Sequence, residues 1–141
     1  MRPATLLLLF PLTACVALPP AAVVTTTISA PGTCDGLRGT PGITARLYFG
    51  RTRTDDAAWQ TFLAGRVTPR FPSGFTVIDG SGQWQQRATG RIVQERSTVV
   101  EIAATRAPET IWNLEAIRAD YRAKFNQESV GLVVSDSCVS F

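Results

Sequence analysis

The chain contains no histidine. That removes Ser-His-Asp, Cys-His and His-metal chemistry together. The polar residues that could hold a ligand fall into short stretches. They are Tyr48 and Arg51, then Gln83 and Trp84, then Arg91, Glu95 and Arg96, and finally Glu128. In one reading Arg51 or Arg96 clamps an anion while Trp84 and Tyr48 supply a stacking wall, with Gln83 and Glu128 as further polar contacts. Only Glu95, Glu128 or Tyr48 is of a type that could serve as acid or base. In the plainer reading the Arg and Glu side chains are cross-strand pairs worth a few tenths to about 1 kcal/mol. Trp84, beside a glycine-rich stretch, is then core or interface. No catalytic constellation is visible in this set. Asp79-Gly80-Ser81-Gly82 lacks the Gly-Lys-Ser/Thr ending of a P-loop. There is no dinucleotide fingerprint, and the pattern implies no cofactor and no metal.

The N-terminus carries an address. Arg2 precedes a short apolar run from Ala4 to Leu12, which closes on Leu12-Thr13-Ala14-Cys15. A large apolar residue, two small ones and a cysteine are what a bacterial lipoprotein peptidase cuts, leaving Cys15 as the acylated first residue. The run is about half the roughly 20 residues of a membrane-spanning helix, and Pro11, Pro19 and Pro20 interrupt it. The expected location is the bacterial cell membrane or outer membrane, with the membrane reached through the lipid at Cys15. Plain secretion or a periplasmic location, with cleavage after Ala17 or Ala22, is the alternative. Each buried acyl methylene contributes about 0.8 kcal/mol, so two or three chains would hold permanently. A net charge of +3 at pH 7 is too weak and dispersed for a nucleic-acid footprint, and no nucleic-acid partner is expected.

Three cysteines are present, Cys15, Cys34 and Cys138. Lipidation of Cys15 would leave two, in a compartment where pairing is expected. A Cys34–Cys138 bridge would close a loop of about 100 residues, contributing up to about 4.7 kcal/mol in the chain-entropy model. The competing readings are a reactive thiol, which would lack an imidazole base, and a metal ligand, which would lack CxxC spacing.

These residues need elements to position them. Residues 1–14 read as the leader. Residues 15–42, rich in Pro, Thr, Ala and Gly, read as a tether. Residues 43–141 read as the folded domain. Ile43, Ala45, Leu47 and Phe49 alternate with polar neighbours and predict a strand, with Arg46 and Tyr48 on its other face. Asp55 or Asp56 caps a helix striped by Trp59, Phe62, Leu63, Val67 and Phe71. A second strand starts at Phe75 and reaches Gln85, with a bulge or bend expected at the glycines. Thr89-Gly90 is a turn. Arg91–Ala104 is a third strand with both faces semi-apolar. Pro108 opens a second helix, striped by Ile111, Leu114, Ile117 or Arg118, Tyr121 and Phe125, and Asn126 ends it. Ser129–Val134 is a fourth strand. The order βαββαβ predicts an α+β, ferredoxin-like sandwich: a four-stranded antiparallel sheet with both helices on one face.

The open face then needs cover from a partner, the tether or a ligand, and a homodimer through the sheet face is one candidate. Arg46–Arg51, Val67–Pro72, Asp79–Trp84, Gly90–Ser97, Gln127–Val130 and Cys138–Phe141 together resemble a family of small exported bacterial proteins, domain of unknown function 3574. The resemblance spans roughly Ile43 to Phe141 and implies a frequent lipoprotein-type leader but no activity. Two functions follow. One is a membrane-tethered binding or interaction module of the cell envelope. The other is a small His-free enzyme or ligand carrier of the dimeric α+β type, with a pocket on the open sheet face and a small-molecule ligand of unknown identity. A concave site lined by Tyr48, Trp84 and two or more charged residues favours the second, and a flat face the first.

Overall fold

A computed structural model describes Cys34 and residues 38–141. Four strands and two helices form in the expected order: β1 Thr40–Gly50, α1 Asp56–Phe62, β2 Thr76–Gln85, β3 Ile92–Thr105, α2 Pro108–Phe125 and β4 Gly131–Val139. The strands make one sheet in the order β2-β3-β1-β4, with every neighbouring pair antiparallel. The α+β class read from the sequence is therefore the class observed.

Local chemistry explains the helix ends. The Asp55 carboxylate accepts from the Ala58 backbone N–H at 2.7 Å, satisfying a donor that the first turn of α1 leaves free. Residues Leu63–Val67 continue α1 as one π-helical stretch, which the three- and four-residue stripe does not foretell. Leu63, Val67 and Phe71 are all buried nonetheless. Pro108 stands in the first turn of α2, and Asn126 ends it in the left-handed conformation (φ 48°) with its N–H on the Arg122 carbonyl.

Both helices lie on one face because both reach the same ring. Phe49 meets Trp59 of α1 at 5.2 Å and Tyr121 of α2 at 4.7 Å between centroids. Phe62 and Phe125 complete the cluster, mostly edge-on, a geometry that adds about 0.5–1.5 kcal/mol per pair beyond area burial. Ile43, Ala45, Leu47, Val100, Ile102, Leu114 and Ile117 extend this core. The third strand's ambiguity is thereby resolved. Val100 and Ile102 face the helices, while Val93, Glu95, Ser97 and Val99 lie half-buried on the open face.

Three expectations need correction. The first strand begins at Thr40, so Thr40–Gly42 belong to the sheet, paired with Val139–Ser137, and not to the tether. Gly42 misled because it reads as linker. A Cβ there would stand 2.6 Å from both the Ala104 carbonyl oxygen and Val139 Cγ2. The fourth strand runs on to Val139, beyond the expected Val134. Its Ser-Asp-Ser stretch is polar because β4 is an edge, and Ser137 shares a 2.7 Å hydroxyl bond with Thr44. Asp79–Gly82 make no bulge, for β2 pairs with β3 in unbroken register from Thr76↔Glu101 to Gln85↔Ile92.

The expected disulfide is present, with Cys34 joined to Cys138 and their Cα atoms 5.6 Å apart. Cys15 and the leader lie outside the described residues. Among the described residues, no helix is long and apolar enough to cross a membrane.

The Tyr121 hydroxyl donates to the Gly50 carbonyl at 2.8 Å and sits 2.9 Å from Thr54 Oγ1. Burial pushes this phenol's pKa up. Tyr121→Phe strands those groups and should lower the unfolding free energy by about 1–3 kcal/mol. Denaturant titration of the two proteins checks this, and equal midpoints would show the hydroxyl to be idle.

Candidate functional site

The eight candidate residues do not form one cluster. The alternation at the end of β1 separates them, because Phe49 and Arg51 point to the helix side while Tyr48 and Gly50 point to the open side.

Beneath the sheet, Arg51 is buried, its side chain 2% exposed. Its Nη2 donates to Asp56 Oδ1 at 2.6 Å, its Nη1 reaches Thr98 Oγ1 at 3.5 Å, and its guanidinium lies 5.0 Å over the Trp59 ring. Arg96 donates to the same Asp56 oxygen at 3.1 Å. Thr98 in turn donates to Asp79 at 2.7 Å. One buried cation thus ties the start of α1 to β2 and β3. This is the anion clamp of the sequence reading with its anion supplied by the protein itself. Arg51 and Arg96 both face Asp56 and stand apart from the open-face residues.

On the open face, Tyr48, Trp84 and Glu95 line the same recess. A concavity of about 870 Å³ opens there, bounded by the β2–β3 hairpin from Gly82 to Val93, by the loop Asn126–Ser129 after α2, and by the ends of β1 and β4. Its floor is made by glycines on three strands, which register brings close: Gly82 opposite Glu95, Gly50 opposite Ser97 and Gly131 opposite Tyr48. Each glycine leaves room for a neighbour. A Cβ on Gly50 would lie 2.6 Å from Glu95 Oε1, and one on Gly131 would lie 3.2 Å from Tyr48 Cβ.

Glu95 is the centre of this floor. Its Oε1 accepts from Trp84 Nε1 at 2.7 Å. Its Oε2 accepts from the Thr52 backbone N–H at 3.2 Å and from the Thr52 hydroxyl. A carboxylate offers about four acceptor positions, so one remains for a ligand donor. The Trp84 ring is fixed by the same bond. Gln83, Arg91 and Glu128 border the concavity, with Arg53 and Arg87, which the sequence reading did not single out. Thr52, Gly50 and Gly131 were also missed. Only the tertiary structure reveals them, setting Gly50 and Thr52 against Glu95 and Gly131 against Tyr48.

A model of a protein family of unknown function, DUF3574, matches residues 44–141. The chain belongs to the DUF3574 family. No curated protein matches it. Two solved structures share its fold. One is a phage SAM lyase in complex with S-methyl-5′-thioadenosine, 17% identical, with a TM-score of 0.56, covering 71% of this chain and 90% of that one. The other is a phage SAM lyase in the apo state, 19% identical, with a TM-score of 0.52, covering 68% and 81%. At these identities the likeness is one of fold. It shows that the sheet and helices of this DUF3574 member are an arrangement on which an enzyme has been built.

The ion pairs under the sheet give a pH signature. Hydrogen bonds from Arg51 and then Arg96 hold the Asp56 carboxyl below its ordinary value near 3.8. A carboxyl lowered in the folded state contributes stability above its unfolded pKa, and loses it as pH falls through the folded one. Asp56→Asn should therefore flatten the acid limb of stability below about pH 4. Denaturant midpoints of both proteins between neutral pH and that range test it. Parallel curves would mean that Asp56 carries no such linkage.

Proposed function

We propose that this DUF3574 protein is lipid-anchored in the bacterial envelope and that its domain binds a small organic ligand in the glycine-floored concavity. The observation that carries the reading is Glu95, a carboxylate fixed by Trp84 and Thr52 at the bottom of a recess. At about 870 Å³ the recess is of the size that small-molecule sites occupy. It is lined by Tyr48, Trp84 and several charged residues, the feature that favours a ligand carrier over a flat interaction module.

The lining describes the ligand. A planar ring suits the indole face of Trp84. A donor or positive group suits the remaining acceptor of Glu95. Polar or anionic groups suit Arg53, Arg87 and Arg91 at the border. A purine nucleoside thioether, the class of the compound in the phage SAM lyase complex, has such a ring and polar edge. SAM adds a positive sulfur. The fold likeness supports trying this class first.

Isothermal titration with S-methyl-5′-thioadenosine and with SAM tests the site. We expect saturable binding that Glu95→Gln weakens by about tenfold or more, as for loss of a charged hydrogen-bond acceptor worth about 1.5–3 kcal/mol. A flat titration with both compounds, in protein shown folded by circular dichroism, sinks the nucleoside reading. Conversion of SAM during the titration would make the protein an enzyme rather than a carrier, with Glu95, Glu128 and Tyr48 as the acid-base groups available.

The anchor rests on Leu12-Thr13-Ala14-Cys15 at the end of the short apolar run. Cells fed a palmitate analogue should label the wild type and not Cys15→Ala. Equal labelling of the two would place the modification elsewhere and remove the lipoprotein reading.

A further inference from the structure

β2 is an edge of the sheet, ten residues long, and exposed along most of its length. A long, unbulged edge presents a row of unpaired backbone groups, which proteins ordinarily blunt with lysine, proline or a bulge. β2 has none of these. Its one charged residue, Asp79, is turned to the helix side and engaged with Thr98. The opposite edge, β4, differs. It carries the Cys34–Cys138 bridge near its end and an Asp136 held by Arg106.

The sequence of β2 is complementary to itself. When two copies are laid antiparallel with Ser81 opposite Ser81, Gly80 falls opposite Gly82, Asp79 opposite Gln83 and Ile78 opposite Trp84. Each pairing occurs twice, as a two-fold axis requires. Glycine within a strand marks places where another backbone comes close. Gln83 gives its carbonyl to the Gln94 amide at 2.8 Å, so its own NH2 is free to donate to the facing Asp79 carboxylate. Ile78, 51% exposed, gains the Trp84 ring across the junction. A register centred on Gly80 instead sets Ile78 against Gly82. One centred on Gly82 sets Gly80 against Trp84. Both lose the apolar pair.

We infer that two copies of this chain join edge to edge through β2 about Ser81, making one continuous eight-stranded sheet. The two-fold axis stands perpendicular to the sheet, so both open faces lie on the same side. Trp84 of each copy serves both its own concavity and the seam. Pairing through the edge leaves the concavities open, unlike a dimer that stacks the two open faces.

The test uses the full chain in detergent. Ser81→Cys places the new thiols against each other at the axis. Thr76→Cys places them about 34 Å apart, at about 3.4 Å per residue. Mild oxidation should give at least ten times more covalent dimer from Ser81→Cys than from Thr76→Cys on a non-reducing gel. Light scattering of the protein without new cysteines should show a dimer fraction that grows with concentration. Ile78→Lys, a change at an exposed position, should abolish that growth and cut the Ser81→Cys cross-link to the Thr76→Cys level. A monomer at the highest soluble concentration, a dimer insensitive to Ile78→Lys, or equal cross-linking at the two positions would each overturn the inference.

Discussion

The Tyr121 hydroxyl on the Gly50 carbonyl is the contact on which both the core and the candidate site depend. The ring of Tyr121 sits at the centre of the aromatic cluster, against Phe49, Phe62 and Phe125. A phenol buried there must find a hydrogen-bond partner or incur the cost of desolvation. The partner it finds is the last residue of β1. That fixes the backbone where the strand passes from packed core to the open face. From this point the alternation of β1 does the rest, sending Arg51 under the sheet and leaving Gly50 beneath Glu95.

The two sides of that junction use charge in opposite ways. Below the sheet, Arg51 and Arg96 are matched by Asp56, and Asp79 is held by Thr98. This pairs a buried cation and binds α1 to two strands, a structural task. Above the sheet, Glu95 is held by an indole and a threonine, both neutral, and keeps its charge unmatched by any cation among the described residues. A fixed charge without a counter-ion is open to an incoming group, whereas one with a counter-ion is a joint. This difference, rather than the presence of Arg and Glu side chains, distinguishes the open-face part of the candidate cluster from the structural part.

Glycine is the second economy of the fold. Gly50, Gly82 and Gly131 make room on the open face for side chains that cross over them, and Gly80 leaves the outer strand bare. Read as local punctuation, the glycines of β2 suggest a bend. In the sheet they are straight, and their work is close approach. The same property makes that edge a surface on which another backbone can lie.

The sequence by itself determined the elements and most of the core. The alternation of Ile43, Ala45, Leu47 and Phe49, the stripe from Trp59 to Phe71, and Pro108 and Asn126 at the ends of α2 all follow from periods and end signals carried by neighbouring residues, and the Cys34–Cys138 pair follows from the cysteine count. The candidate residues Tyr48, Trp84 and Glu95 were also legible as types. Tertiary structure alone decided that these three line one recess while Arg51 and Arg96 turn away to Asp56, and that Thr52 and three glycines complete its lining. It alone decided that the helix carrying Leu63 and Val67 would widen to a π-helical stretch. The physical reason is register. Which residue faces which across a sheet depends on pairings between segments tens of residues apart, and a shift of one residue sends every side chain to the other face.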